Sequence, residues 1–348
     1  MKKVFALLAS LAVSASMFAF AGCDNPSEGG NLTDGNYTEK TPEEMEDIIE
    51  NIDPDKVFGG DKEGEPNLNY GLKFNLSGGY SMGSEMSSTI SAIADLTLAS
   101  VDDGIIGAGS ASYNSTSTMT FMDTVMTTSA KYDGKAYLEN FVLYADAKGT
   151  STSIAEGQTQ KQEIDEKAKI NLMEIAAAAG DMSPLPDEGL PQMSIVELLT
   201  TAKQYGVSVA VDDKNGVKFK LSASEDTVWA IFENVSTIPW TEEGIAEVKK
   251  AVTFNKFQFD LYFALDKDGA FNGASAVVDI DVSVDTSVFA EMMEEEGSEA
   301  TVITAYVKGS VEIYKHDGKV IIIPAGLAND ESYHDYTDTV LEILKDYV

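Results

Sequence analysis

The sequence predicts an α+β fold in which helices pack on one face of a large antiparallel sheet. Asn-Gly and Asp-Gly pairs recur along the chain, apolar and polar residues alternate between them, and helical segments are inserted in groups. These dipeptides supply the positive φ angles that two-residue hairpin turns need. Helices grouped beside hairpins are typical of α+β proteins.

The first residues have the pattern of an export signal. Lysines at positions 2 and 3 precede an apolar run over residues 4–20, and the run ends in the small residues Ala21 and Gly22. The run is shorter than the roughly 20 residues of a transmembrane helix. We therefore predict a lipoprotein signal peptide over residues 1–22.

Cys23, the only cysteine of the chain, follows this signal directly. Residues 20–23, Phe-Ala-Gly-Cys, resemble the bacterial lipobox, in which the cysteine is acylated and becomes the first residue of the mature chain. By that resemblance the protein is extracytoplasmic, and the lipid on Cys23 anchors it to the bacterial cell membrane or the outer membrane. The alternatives are a buried thiol or an ordinary cleaved signal. A lone cysteine has no disulfide partner, which favours the lipid.

The residues after the cysteine are small and polar. We expect residues 23–41 to form a lipidated flexible tether, because they offer too little apolar surface to order themselves. Residues 42–348 contain no clear interior linker. They are predicted to form a single α+β binding domain, and we expect it to be monomeric.

The charge balance excludes several partners. The chain has 58 acidic and 24 basic residues, a net charge of −34, and every basic residue is lysine. Such a chain is repelled by nucleic acid and by anionic lipid surfaces, and it lacks the bidentate arginine fork that recognises phosphate. The acidity itself is read as a solubilising surface, with specific cation binding as the alternative.

Five turn dipeptides set out the hairpins. They are Asp103-Gly104, Asp133-Gly134, Asn215-Gly216, Asp268-Gly269 and Asp317-Gly318. The hairpin over residues 256–285 has the clearest flanks. Its first arm places five large apolar residues on one face: Phe257, Phe259, Leu261, Phe263 and Leu265. Its return arm alternates Ala276, Val278, Ile280, Val282 and Val284 with Asp279 and Asp281 on the other face. A slip of one residue would bury the aspartates, so the register is predicted to be fixed.

Helices are predicted between the hairpins. Thr41 to Glu44 form a capping box with Pro42 at the first helical position, which starts a helix that ends near Ile52. The other predicted helices cover residues 166–179, 194–205, 227–235, 242–252, 288–295 and 337–347.

This combination of lipobox, tether, leading helix and long sheet with inserted helices resembles the LolA/LppX class of envelope lipid-binding lipoproteins. The resemblance covers residues 69–324, including VSVAVDDKNGVKFKLSAS at residues 207–224, and it rests on element order. It implies a curved, half-barrel-like sheet with helices packed on its concave face around an apolar cavity for acyl chains. The wall residues would be Phe257, Phe259, Leu261 and Phe263, closed by Trp229 and Trp240 from the helices. The alternative for each of them is an ordinary packed core.

Enzyme and metal signatures are weak. Residues 79–83, Gly-Tyr-Ser-Met-Gly, match the G-x-S-x-G pattern with Ser81 as nucleophile, and His316 and His334 lie downstream. That motif needs a strand before it and a helix after it, whereas the alternation here continues as strand. Two histidines and no free cysteine offer no zinc site. We predict no catalytic residue, no metal ligand and no cofactor.

The sequence therefore favours a non-enzymatic, membrane-anchored lipoprotein that binds a lipid or another amphiphile. The alternative is an acidic surface lipoprotein that binds a protein or a glycan through its exposed sheet face or loops. A hydrolase that depends on Ser81 is the third possibility.

Overall fold

A computed structural model describes residues 32–52, 69–101, 104–121, 124–175, 177, 203, 206–235, 242–287, 301–315 and 321–347. Thirteen strands form one sheet. They are β1 Thr38–Glu39, β2 Asn69–Met82, β3 Met86–Val101, β4 Gly104–Phe121, β5 Thr124–Glu139, β6 Val142–Ala155, β7 Gln158–Asn171, β8 Ser208–Asp212, β9 Val217–Ala223, β10 Val252–Leu265, β11 Phe271–Asp285, β12 Val302–Lys315 and β13 His334–Asp335.

The sheet is open and antiparallel, with the strand order β1-β8-β9-β10-β11-β12-β2-β3-β4-β5-β6-β7-β13. Only β13 runs parallel to its neighbour, β7. Strands β2 to β7 form one meander and β8 to β12 form another, and the pairing of β12 with β2 joins them. Most strands have 14 residues or more, about 48 Å at 3.4 Å per residue. The predicted large antiparallel sheet is confirmed.

The turn predictions had mixed outcomes. Asn215-Gly216 and Asp268-Gly269 do join paired strands, and both glycines have positive φ. Asp133-Gly134 was wrong, because both residues lie inside β5 and pair with β4 and β6. Gly104 opens β4 opposite Val101. Asp317-Gly318 lies outside the described residues.

The β10–β11 hairpin places the apolar residues of both arms opposite one another, on the common face that the sequence predicted. Phe257 pairs with Ile280, and Leu261 pairs with Ala276. Two β-bulges interrupt the pairing, one near Asn255 and one near the turn. The apolar residues of both arms therefore share one side of the sheet.

Four helices are described: α1 Pro42–Glu50, α2 Glu225–Val235, α3 Glu242–Ala251 and α4 Thr337–Tyr347. The Thr41 capping box is formed, with Glu44 N donating to Thr41 Oγ1 and Thr41 N donating to Glu44 Oε2. None of the helices in the described ranges has both the length and the apolar character that a bilayer crossing requires.

The helix predicted over residues 166–179 was wrong in its first part. Residues 166–171 complete β7 and pair with β6, and helical structure starts at residue 172. Pairing with β6 overrides the helix propensity of this Glu- and Lys-containing segment. The helices predicted over residues 194–205 and 288–295 are not covered, since only position 203 of these ranges is described.

The end of the predicted tether is ordered on the sheet. Leu32 is 4% exposed and packs against Tyr262 and Ala264. Tyr37 donates a hydrogen bond to Leu32 O, and β1 pairs with β8. The prediction of a flexible tether was therefore wrong for residues 32–40, because the side chains of Leu32 and Tyr37 pack against β10.

The C-terminal residues cross the opposite edge of the sheet. Leu327 and Tyr333 are buried against Tyr144 of β6, and the rings of Tyr144 and Tyr333 meet edge to face at 5.2 Å. Asn171 N at the end of β7 donates to Thr337 Oγ1 at the start of α4. This segment fastens the chain end to β6 and β7.

Candidate functional site

One face of the sheet is apolar across nine strands. Phe259 lies opposite Val278, and each residue in turn lies opposite a partner on the next strand. The complete row is Phe259, Val278, Gly309, Leu76, Ala92, Tyr113, Tyr132, Gly149 and Ile164. None of its members is charged or carries an amide. We call the side of the sheet that contains this row the apolar face.

The next row lies on the other side, because successive strand residues point to opposite faces. It contains Asp260, Val277, Ser310, Asn75, Ile93, Ser112, Asp133, Lys148 and Asp165. Seven of these nine side chains are polar or charged. We call this side the polar face.

Helix α1 covers the apolar face at the β8–β10 end. Met45 and Ile49 of α1 are buried together with Phe219 of β9, and Leu261 and Phe263 pack against this cluster. Two of the predicted wall residues, Leu261 and Phe263, therefore belong to a packed core beneath α1. For Leu261 and Phe263, the alternative of an ordinary packed core therefore applies.

The other predicted wall residues lie beyond this core. Phe257 and Phe259 are only partly buried. The ring centroid of Phe254 lies 5.4 Å from that of Phe257 and 6.1 Å from that of Trp229, and both pairs meet edge to face. Trp229 of α2 is thus connected to Phe257 of β10 through the ring of Phe254. Trp240 lies outside the described residues.

The centre of the apolar face is incompletely covered by the described residues. Phe74 and Leu76 of β2 are partly buried, whereas Ile90 is 49% exposed and Tyr113 is 37% exposed. Contiguous apolar surface of this kind marks binding sites for ligands, membranes or other proteins. This part of the face can therefore accept an apolar group.

Methionines form a cross-strand row at one end of the apolar face. The row contains Met82, Met86, Met119 and Met126 on β2, β3, β4 and β5. Methionine side chains are flexible and polarisable, so they adapt to partners without a fixed shape.

The polar face contains one buried acid. Asp260 is 4% exposed, and it accepts hydrogen bonds from Ser222 Oγ and from Gln258 Nε2 at 2.8 Å. Lys220 Nζ lies 3.3 Å from Asp260 Oδ1. Burial acts to raise the pKa of Asp260, but these hydrogen bonds and the lysine charge outweigh burial and lower it. The buried carboxylate is therefore ionised and satisfied, and it fastens β10 to β9.

The polar face also contains an exposed aromatic residue. Tyr306 is 42% exposed and lies over Gly79 of the next strand, where an added Cβ would be 2.8 Å from the ring. Asp281 pairs with Tyr306 on the other side, and Asn255 Nδ2 donates to Asp281 Oδ1 at 3.0 Å. A flat ring beside hydrogen-bonding side chains is thus presented to solvent.

The G-x-S-x-G sequence lies in a strand that runs into another strand. Ser81 is in β2, its Oγ is 2.7 Å from Thr304 Oγ1, and Gly83 has a φ of 55° in the turn to β3. Thr304 is on the adjacent β12, so the Ser81 hydroxyl bonds to a threonine. His334 lies on β13 at the far edge, and His316 is outside the described residues.

Beside β7 the described residues form a groove, but they form no metal site. No group of three or more metal-ligating side chains comes together within the described ranges. An open groove of about 490 Å³ runs beside β7 and is lined by residues 162–167, Ser332 and His334. Lys167 in this groove pairs with Asp330 at 3.2 Å. Its lining is mainly polar, and its one apolar residue is Ile164, the last member of the row that crosses the apolar face.

Neither a protein-family model nor a curated protein matches the chain. The functional reading therefore rests on the residues themselves.

Several residues of the apolar face were not singled out from the sequence. Tyr113 and Tyr132 lie side by side in the central row, with ring centroids 5.9 Å apart. Strands β4 and β6 supply mainly glycine, alanine, serine and threonine to this face, so they show no strong apolar period. The available signal was a small residue at every second position, namely Gly107, Gly109 and Ala111 on β4 and Ala145, Ala147 and Gly149 on β6.

Proposed function

We propose that the protein is an extracytoplasmic lipoprotein, anchored through acylated Cys23, that binds a lipid or another amphiphile on the apolar face and catalyses no reaction. The observation that carries this proposal is the uncharged row from Phe259 to Ile164, which crosses nine strands of an open sheet. The LolA/LppX-like order of elements supports the same function.

An acyl chain suits this surface energetically. Transfer of each methylene from water to an apolar surface is worth about 0.8 kcal/mol when it is fully buried. Phe257, Phe259 and Leu76 offer apolar side chains that are only partly buried. The methionine row offers adaptable contacts at one end. The face has no charged side chain in its central row, so the polar group of the ligand would remain at its margin.

We also propose that the apolar face is the concave face of the sheet. Four glycines on this face, Gly109, Gly134, Gly149 and Gly309, lie where an added Cβ would come within 2.3 Å of a backbone oxygen of the neighbouring strand. Bending a sheet crowds the residues on its inner side, and glycines at such positions permit the bend. Packing of α1 on this face supports the same arrangement, with helices on the inner side.

The anchor leaves the apolar face open for a ligand. Leu32 and Tyr37 pack around Tyr262, which lies on the polar face. Leu32 follows Cys23 by nine positions, which allows at most about 32 Å of extended chain. The described part of the tether therefore approaches the sheet from the side opposite to the proposed binding surface.

Native mass spectrometry tests both parts of the proposal. The full-length chain is purified from the membrane fraction in mild detergent, and its lipids are extracted in parallel. We expect a protein mass that starts at Cys23 and includes acyl groups, together with a bound amphiphile that is absent from Phe259→Asp. The matched control is Asn75→Asp, which places the same charge at an exposed position of the polar face, beside Leu76, and should retain the amphiphile. Equal retention by both variants would contradict binding on the apolar face.

The milder substitution Phe74→Ala separates a loss of binding from a loss of folding, which Phe259→Asp alone does not. It removes apolar surface from β2 without adding a charge, so it should weaken binding of the amphiphile while leaving the far-UV circular dichroism unchanged. A Cys23→Ala variant that still carries the acyl mass would contradict the anchor.

A second function has one observation in its favour, namely Tyr306. Its exposed ring over Gly79, beside Asp281 and Asn255, has the form of a platform for a sugar ring. On this alternative the polar face binds a neutral glycan. Retention on an immobilised neutral polysaccharide should then be lost in Tyr306→Ala and kept in Ile93→Ala, a matched substitution of another half-exposed residue of this face.

A further inference from the structure

Large apolar side chains are exposed at one end of the sheet. Phe121 is 62% exposed, Val125 is 54%, Met119 is 42% and Met126 is 40%. All four lie among the last residues of β4 or the first residues of β5. We call this group, together with Met82 and Met86 of the same row, the methionine end. Its side chains lie on both faces, since Val125 is on the polar face and Met126 on the apolar face.

The strands of the methionine end are nearly free of charge, although the chain as a whole is highly acidic. β4 has 18 residues without any Asp, Glu or Lys. On β5 the first charged residue, Lys131, is five positions from Met126, about 17 Å at 3.4 Å per residue. That distance exceeds the Debye length of about 8 Å at physiological salt. No lysine of β4 or β5 therefore lies close enough to attract phosphate at this end.

Acidic residues surround the exposed apolar group. Glu85 is exposed in the β2–β3 turn and Glu156 is exposed in the β6–β7 turn. Carboxylates at the margin attract ammonium groups and repel phosphate-rich anionic surfaces. They also repel a second methionine end, so docking of two copies through this group is disfavoured.

We propose that the methionine end docks onto a lipid surface whose headgroups are zwitterionic and carry ammonium groups. Phe121, Val125, Met119 and Met126 enter the interface between headgroups and acyl chains, and Glu85 and Glu156 stay at headgroup level against the ammonium groups. Methionine and phenylalanine suit a fluid partner, because they require no fixed complementary shape. This docking does not depend on a ligand in the apolar face.

The docking end is distinct from the end at which the tether joins the sheet. Leu32 packs against Ala264, close to the turn between β10 and β11. The methionine row lies at the other end of the strands, where Met82 pairs with Ile303. The proposed contact therefore adds a second attachment to a lipid surface, well separated from the first described residue after Cys23.

A fluorescent probe at Val125 tests the proposal. The full-length Val125→Cys chain is labelled with bimane and reconstituted into vesicles of phosphatidylcholine and phosphatidylethanolamine. Nitroxide-labelled lipid is placed either in these vesicles or in added protein-free vesicles, so that docking on either surface is detected. The matched control is Ile93→Cys, which is 50% exposed but lies in the middle of the polar face. The unsubstituted chain gives the background from Cys23.

We expect the Val125 probe to be quenched several-fold more strongly than the Ile93 probe in at least one of the two arrangements. Adding Phe121→Asp, or replacing half of the lipid by phosphatidylglycerol, should reduce this quenching several-fold. Phe121 is the most exposed member of the group, so its substitution should leave far-UV circular dichroism and thermal unfolding unchanged. Equal quenching of the two probes in both arrangements would overturn the proposal. Pyrene excimers at Val125 without lipid quenching would also overturn it, in favour of contact between two copies.

Discussion

Phe259 and Asp260 are adjacent on β10 and occupy opposite environments. Phe259 faces Val278 in the uncharged row of the apolar face. Asp260 is 4% exposed on the polar face, where it bonds to Ser222 and approaches Lys220. A slip of one residue would place the carboxylate among apolar side chains, so both faces fix the register of β10.

The buried carboxylate should contribute measurably to stability. Replacing Asp260 by Asn leaves the Lys220 ammonium without a charged partner and weakens the hydrogen bonds from Ser222 and Gln258. We expect a loss of about 1–3 kcal/mol in the free energy of unfolding, measured by urea denaturation at neutral pH. The control is Asp213→Asn, which removes an exposed ion pair with Lys40 and should lower the free energy of unfolding much less, because solvent screens exposed pairs.

The stabilisation by Asp260 should depend on pH in a defined direction. Its pKa in the folded protein is lowered, below the ordinary aspartate value of about 3.9. The ionised carboxylate therefore stabilises the fold fully above about pH 4, and this contribution is lost as the pH falls through the lowered pKa. The stability difference between the unsubstituted protein and Asp260→Asn should shrink in acid. A difference that grows below pH 4 would contradict this assignment.

Glycine at position 309 should be required for strand packing. A Cβ at this position would lie 2.0 Å from Asn75 O and 2.8 Å from the Leu76 Cα. Gly309→Ala should therefore cost about 1–3 kcal/mol through overpacking, seen as a lower melting temperature. Gly157→Asn serves as control, because position 157 has a φ of 76° with no atom within 4 Å of a Cβ, and asparagine tolerates that conformation. Equal effects of the two substitutions would show that crowding at β12–β2 is not the cause.

The C-terminal segment should depend on one leucine for its docking. Leu327 is 2% exposed between Tyr144 and Tyr333. Leu327→Ala leaves a cavity and should destabilise the fold by about 2–5 kcal/mol. Cleavage within residues 321–347 should also become faster in limited proteolysis. Ile322→Ala, at a position that is 78% exposed, should change neither stability nor cleavage.

Strict alternation made the β10–β11 hairpin predictable in detail. Apolar residues at every second position of residues 257–265 and 276–284 fix both the strands and the side on which they pack, so the common face of Phe257 and Phe259 was predicted correctly. The helix at α1 was equally predictable, because its capping box is local. Sequence reasoning succeeded wherever one short segment contained the complete signal.

The remaining features depend on contacts between distant segments. Asp133-Gly134 has the sequence of a turn, but Gly134 is needed within β5, where a Cβ would lie 2.3 Å from Asp146 O. Leu32 looked like part of a polar tether, and only its contact with Tyr262 orders it. Of the proposed wall, Leu261 and Phe263 could not be separated from Phe259 by sequence, since all three share one face and only the position of α1 distinguishes them.

Tryptophan fluorescence tests the central claim most directly. The chain has two tryptophans, so in a Trp240→Phe background only Trp229 emits, and its ring contacts Phe254 beside the proposed binding surface. Titration with a fatty acid brominated along its acyl chain should quench Trp229 with saturation, and Phe259→Asp should abolish the saturable quenching while Asn75→Asp on the polar face preserves it. Quenching that is absent, or that remains unchanged in Phe259→Asp, would contradict binding of an amphiphile on the apolar face.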